Sequence, residues 1–332
     1  MDLDALLQPH RAALDHRLQA PLARLELAGG ERLHAMTLDQ LRSGGKQLRG
    51  LLPAALVQAG GGPVAAAIEL GACIELIHNG TLVHDDIQDG DRFRRGQPTL
   101  WTIHGQAQAI NVGDAMLVGP IAAILRAEVI PSSLRGPLAS LLTEALLETI
   151  RGQVADLSLR DLPDPRREDL AAVHVAKTGP LFAACLAGAA LLLDRPQASI
   201  DAAHDLAQGL GLAFQVRDDL LDALGAKGRG APGADLREGK PTWPMLRALE
   251  HATPEQAIRL RGQLRRAAEA PLTDAEVAAT IAWLHQSGGI EQTRGDLANL
   301  LQDARSAAGQ VFAQDSAEIV VALCDRLARL DG

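Results

Sequence analysis

Apolar side chains recur every three to four positions along almost the whole chain, as in Leu3, Leu6, Leu7, Leu14 and Leu18 and again in Ile68, Leu70, Ile74 and Ile77. That period gathers them on one face of an α-helix, and no stretch shows the alternation of a half-buried strand. Helix starts are legible late in the chain. Thr253-Pro254-Glu255-Gln256, Thr273-Asp274-Ala275-Glu276 and Asp315-Ser316-Ala317-Glu318 each set a capping side chain three residues before Glu or Gln. Gly60-Gly61-Gly62 and Gly288-Gly289 mark stops. The pattern predicts roughly ten to thirteen helices joined by short loops. No linker separates them, so residues 1–332 are expected to form a single domain.

Two stretches break this rhythm. Gly90–Thr99 (GDRFRRGQPT) follows the acidic cluster Asp85-Asp86-Ile87-Gln88-Asp89, and Gly225–Pro241 follows Asp218-Asp219-Leu220-Leu221-Asp222. Each is expected to be a flexible loop carrying basic residues.

Composition supports an all-α chain. Four phenylalanines (Phe93, Phe182, Phe214, Phe312), three tryptophans and no tyrosine leave little for sheets, while good helix formers abound. A net charge of −9 without a long basic run argues against nucleic acid as a partner. Cys73, Cys185 and Cys324 are odd in number and lack CxxC spacing, which fits reduced core thiols in a cytoplasmic protein. The start, MDLDALLQPH, carries acid where a signal peptide would carry a basic region. The longest apolar run, Leu181–Leu193, stops at Asp194 after 13 residues, and a spanning helix needs roughly 20. No membrane span is therefore expected.

The acidic clusters carry the chemistry. In each, the first and last aspartates stand at i and i+4, one turn apart on one helical face. Six carboxylates brought together repel unless hard divalent cations lie between them, which points to Mg²⁺. Either cluster alone is most often just a solvated helix face. The residues before both are apolar enough for core helices, however, so the aspartates stand where buried helices surface, a costly place unless they bind something. Of 32 basic residues only Lys46, Lys177, Lys227 and Lys240 are lysine, and each has glycine nearby. A compact ammonium beside small residues suits phosphate oxygens. Arg94 and Arg95, adjacent just past Asp89, can fork onto different phosphate groups.

GGKQLRG (44–50), HNGTLVHDDIQDGDRFRRGQPT (78–99), GDAML (113–117), KTG (177–179), FQVRDDLLD (214–222) and GADLREGKPTWP (233–244) together resemble the trans-isoprenyl diphosphate synthases, or polyprenyl synthetases. The resemblance implies an isoprenoid synthase-type helical bundle around a central cavity, working as a homodimer, with the two motifs facing each other across its mouth. It implies Asp85, Asp89 and Asp218 as Mg²⁺ ligands, with Asp86, Asp219 and Asp222 supporting them directly or through water. Arg94, Lys177, Thr178, Gln215 and Lys240 would hold an allylic diphosphate, and Lys46, Arg49, His78 and Arg95 would hold isopentenyl diphosphate. Without the resemblance His78 would be read as a satisfied core histidine. Gln47, Gly50 and Trp101 depart from the family pattern, where Arg, Pro and His are more familiar. The small Gly80 and Thr81 before Asp85, with Ile77 one turn deeper, suggest room for a C20 product, with C15 or C25 and longer as alternatives. A class I terpene cyclase is disfavoured by the intact second cluster and GGKQLR, and a non-catalytic partner subunit by the retention of every aspartate.

Overall fold

The computed structural model describes residues 2–19, 30–42, 44–159, 162–225, 232–267 and 270–330. The first half carries α1 (Leu3–Leu7), α2 (Arg11–Gln19), α3 (Gly30–Arg42), α4 (Leu48–Ala59), α5 (Val64–Gln88), α6 (Leu100–His104), α7 (Gln106–Arg126) and α8 (Ser132–Leu159). The second carries α9 (Arg167–Leu192), α10 (Gln197–Leu224), α11 (Ala234–Arg237), α12 (Trp243–Leu249), α13 (Pro254–Ala267), α14 (Asp274–Gln286), α15 (Gly289–Val311) and α16 (Gln314–Ala328). The fold is all-α as expected, with more helices than the pattern predicted. The excess comes from one- and two-turn helices such as α1, α6, α11 and α12, too short to display a period.

The capping pairs at Thr253/Gln256 and Thr273/Glu276 form, each side chain bonding the other residue's backbone N–H. Asp315 does not cap: α16 starts at Gln314, leaving Asp315 in its first turn, while the Ser316 hydroxyl donates to Leu56 O at 2.8 Å. Gly90–Thr99 is not an irregular loop. It folds into an antiparallel hairpin, β1 (Phe93–Arg94) on β2 (Gln97–Pro98), and its central residues Arg95 and Gly96 both have positive φ, 54° and 77°, as a two-residue primed turn requires. Lys227 lies outside the described residues.

The chain divides into two compact units. The first comprises Met1–Leu147, Leu181–His204 and Gly309–Ile319, and the second comprises Glu148–Pro180, Asp205–Ala308 and Val320–Gly332. In the first, α5 is buried on nearly every side and packs on α2, α4 and α7. A Cβ added at Gly71 of α5 would lie 2.0 Å from the backbone oxygen of Gly50 of α4, so these helices touch main chain to main chain. In the second, a Cβ at Gly211 of α10 would meet the backbone of Gly179 at 2.5 Å.

By length and composition α5, α7 and α9 could each cross a membrane, against the expectation drawn from the longest unbroken apolar run. In α5 and α9 that apolar surface faces the protein's interior: 83% and 72% of their most apolar windows are buried, against 39% for α7.

Candidate active site

In the first unit the segment GGKQLRG makes the entry to α4. Gly44, Gly45 and Gln47 all have positive φ, which turns the chain sharply before the helix. The Arg95 guanidinium lies against this turn, so close that a Cβ at Gly45 would stand 2.7 Å from its Nη1. Arg49 is buried, its guanidinium 5.0 Å over the Phe182 ring. Glu75, buried on α5, accepts the Gly50 N–H at 3.0 Å. Burial pushes its carboxyl up, while Arg49 foremost pulls the other way. His78, one turn on, is driven well below the usual histidine range by burial and then by Arg49, Arg95 and Arg94. Arg49, Arg95 and His78 are thus neighbours, with exposed Lys46 on the same turn.

The hairpin sends its two arginines different ways. Arg94 places Nε 2.5 Å from Asp86 Oδ1 and Nη2 3.4 Å from Asp85 Oδ2, with Asp91 at 3.9 Å. Asp86 is buried, and desolvation raises its carboxyl to about 6 despite Arg94. The base of the hairpin is fastened by Trp101, whose indole N–H donates to Asp91 O at 2.7 Å and whose ring lies 5.6 Å beneath the Arg92 guanidinium. The Thr99 hydroxyl donates to the same oxygen at 2.8 Å. Trp101, unexplained in the sequence, is therefore a support for the loop that carries Arg94 and Arg95.

The second cluster, in the second unit, is organised differently. Asp219 is buried, accepts the Trp243 N–H at 2.8 Å, and stands 3.4 Å from His174 Nε2. Burial pushes its carboxyl up, with His174 opposing. Asp222 is buried too and accepts the N–H groups of Ala234 and Asp235, one on each oxygen, both at 3.2 Å. Both oxygens of this residue, expected to support the metal directly or through water, fasten the start of α11. Asp218 is the half-buried member. Gln215 donates to Thr178 Oγ1 at 2.6 Å, bringing two expected phosphate-binding residues together. Lys177 pairs with Asp156 at 2.7 Å and Lys240 with Glu238 at 2.9 Å.

Asp156, His174 and Glu75 were missed as partners. Asp156 and His174 lie 21 and 45 residues from the groups they touch, beyond any local pattern. Glu75 did leave a signal, an acid inside the apolar run Ile74 to Ile77.

Among the described residues no three His, Cys, Asp or Glu side chains converge as a metal site. The donor set nevertheless suits a hard cation: Asp85 and Asp86 stand around one guanidinium, so their charges already draw a cation to this end of α5. Of the expected chain-length residues, Ile77 is fully buried and Thr81 donates its hydroxyl to His78 O at 2.7 Å. A Cβ at Gly80 would stand 2.9–3.1 Å from Leu117, Met116 and Gly113 of α7. Gly80 is thus closely packed against α7.

The polyprenyl synthetase profile matches residues 31–284, spanning every segment just described. The chain belongs to the polyprenyl synthetase family. It is 31% identical to the farnesyl diphosphate synthase of Bacillus subtilis over 258 residues, 75% of this chain and 86% of that one. It is 34% identical to the geranylgeranyl diphosphate synthase of Mycobacterium tuberculosis over 259 residues, 76% and 72% of the two chains. The crystal structure of a polyprenyl synthase from Caulobacter crescentus CB15 complexed with calcium and isoprenyl diphosphate is similar at TM-score 0.84 and 26% identity, covering 99% of this chain and 98% of that one. Family members of near-equal likeness thus bear names of different product lengths.

Proposed function

We propose that this chain is a trans-prenyltransferase that joins isopentenyl diphosphate head-to-tail to an allylic diphosphate, with Mg²⁺ as cofactor. The observation that carries the reading is the pairing, within one unit, of a cationic turn (Lys46, Arg49, Arg95) with a carboxylate pair held at Arg94. Such a turn binds a multiply charged anion. His78, kept neutral by burial and then by its arginine neighbours, can hydrogen-bond that anion without adding charge. Bound Mg²⁺ supplies positive charge to a departing diphosphate, and Asp85, Asp89 and Asp218 are the residues proposed to hold it.

Lys46, Arg49, His78 and Arg95 bind isopentenyl diphosphate in this reading. Arg94, Lys177, Thr178, Gln215 and Lys240 orient the allylic diphosphate and stabilise the charge that develops as its C–O bond ionises. The isopentenyl double bond attacks the allylic cation, and the proton then lost goes to the departed diphosphate, so no strong side-chain base is required. We further propose a C20 product, supported by the small Thr81 above buried Ile77. Incubation with isopentenyl diphosphate and C5, C10 or C15 primers should end at C20; C15 alone from every primer overturns the length.

A homodimer is part of the proposal. Ile110, Val118 and Leu125 lie on one face of α7 and are 41%, 65% and 50% exposed, an apolar stripe open to solvent. V118E combined with L125E should halve the sedimenting mass, and an unchanged mass rejects this surface as the interface.

A further inference from the structure

The turn before α4 has little rigidity of its own. Gly44 and Gly45 are its first residues, Gln47 holds an unfavourable left-handed conformation, and Gln47 gives no side-chain cap to α4. Its side chain is used elsewhere. Gln47 Oε1 accepts from Arg11 Nη1 at 3.0 Å, and Gln47 Nε2 donates to Asp15 Oδ1 at 2.9 Å. Arg11 Nη2 also reaches Lys46 O at 3.4 Å. Arg11 and Asp15 stand four apart on α2 and so share a face.

The chemistry of this bridge is specific. Arginine only donates and carboxylate only accepts, so the group between them must accept at one end and donate at the other, which a primary amide does. An arginine at 47 would face Arg11, and a glutamate would face Asp15. The departure of Gln47 from the family pattern is thereby matched to two residues of α2. That helix is itself fixed: Arg17 pairs with buried Glu69 of α5, and Leu14 packs so tightly on Gly50 that a Cβ there would stand 2.8 Å from it. From the other side Glu75 of α5 holds the Gly50 N–H.

We propose that Gln47 is a positioning residue, through which α2 sets the geometry of the Gly44–Arg49 turn and hence the grip on isopentenyl diphosphate. The link to that substrate rests on the function proposed above. Gln47 touches no reacting atom in this account; it acts through Lys46 and Arg49.

The test uses the full-length chain and the variants Q47E, D15N and Q47E/D15N. In Q47E the bridge carries two facing carboxylates; adding D15N restores a donor opposite an acceptor. Q47E should raise KM for isopentenyl diphosphate about tenfold, with kcat and the allylic KM held within about twofold. D15N alone should change little, and the double variant should return KM to within about threefold of wild type. Hydrogen exchange at the amides of residues 48–51 should quicken in Q47E and recover in the double variant, with thermal unfolding temperatures alike. A KM that rises equally for both substrates, or no recovery in the double variant, overturns the proposal. The exchange readout is independent of turnover. Recovered exchange in an inactive wild type would sink the proposed function and, with it, the substrate named here; unchanged exchange in an active enzyme would sink the positioning role alone.

Discussion

At the residue scale, the aspartates of the two motifs divide by burial: Asp86, Asp219 and Asp222 are buried, and Asp219 meets Trp243 and Asp222 meets Ala234 after the chain has turned back, whereas Asp85 and Asp218 are half-buried. This division makes a prediction. Asp85→Ala and Asp218→Ala should each cut kcat by about 10²–10³ with little loss of stability, since these half-buried groups are proposed to face the reacting diphosphate. Asp222→Ala should lower stability as well as activity, because two amides lose their acceptor. Denaturant unfolding beside steady-state kinetics checks both. His78 gives a pH prediction. Its folded pKa lies below the unfolded value of about 6.5, so above that pH both states are neutral and nothing is lost. As pH falls below it the unfolded chain takes the proton first, and stability declines. Unfolding free energy measured from pH 7.5 to 5 should fall less steeply in His78→Gln than in wild type.

At the element scale, the long helices follow from their apolar period, whereas the β1–β2 hairpin was hidden because two residues per strand show no alternation. The close helix contacts share a device. Gly71 stands one turn before Glu75, and Gly211 one turn before Gln215. Each glycine lets two backbones touch, and each polar side chain then reaches the neighbouring segment, at Gly50 N–H and at Thr178 Oγ1. Gly71→Ala should therefore destabilise the protein by about 3 kcal/mol, since the obstructing atom is backbone and cannot step aside. Chemical denaturation measures it; a change under about 0.5 kcal/mol would deny the contact. Trp101→Ala should leave global stability nearly intact yet weaken both diphosphates, because the hairpin it fastens carries Arg94 and Arg95 together.

At the scale of the whole molecule, apolar period and composition together pointed to the all-α class, and the odd number and spacing of the cysteines pointed to unpaired core thiols. All three are free and buried, and burial pushes Cys185 up to about 12 and Cys324 up to about 11. A thiol reagent should accordingly find no fast-reacting cysteine in the native protein and three after unfolding. Product length was not legible, because the residues facing the helix before Asp85, such as Met116 and Leu117 of α7, come from distant segments. The central claim concerns the reaction itself. Its most direct test is diphosphate release by the purified chain with geranyl diphosphate and Mg²⁺, followed with and without isopentenyl diphosphate. The account predicts release that requires both substrates and Mg²⁺ and yields an acyclic diphosphate longer by whole five-carbon units. Release from the allylic substrate alone, with a cyclised hydrocarbon as product, or no release under any of these conditions, would contradict it.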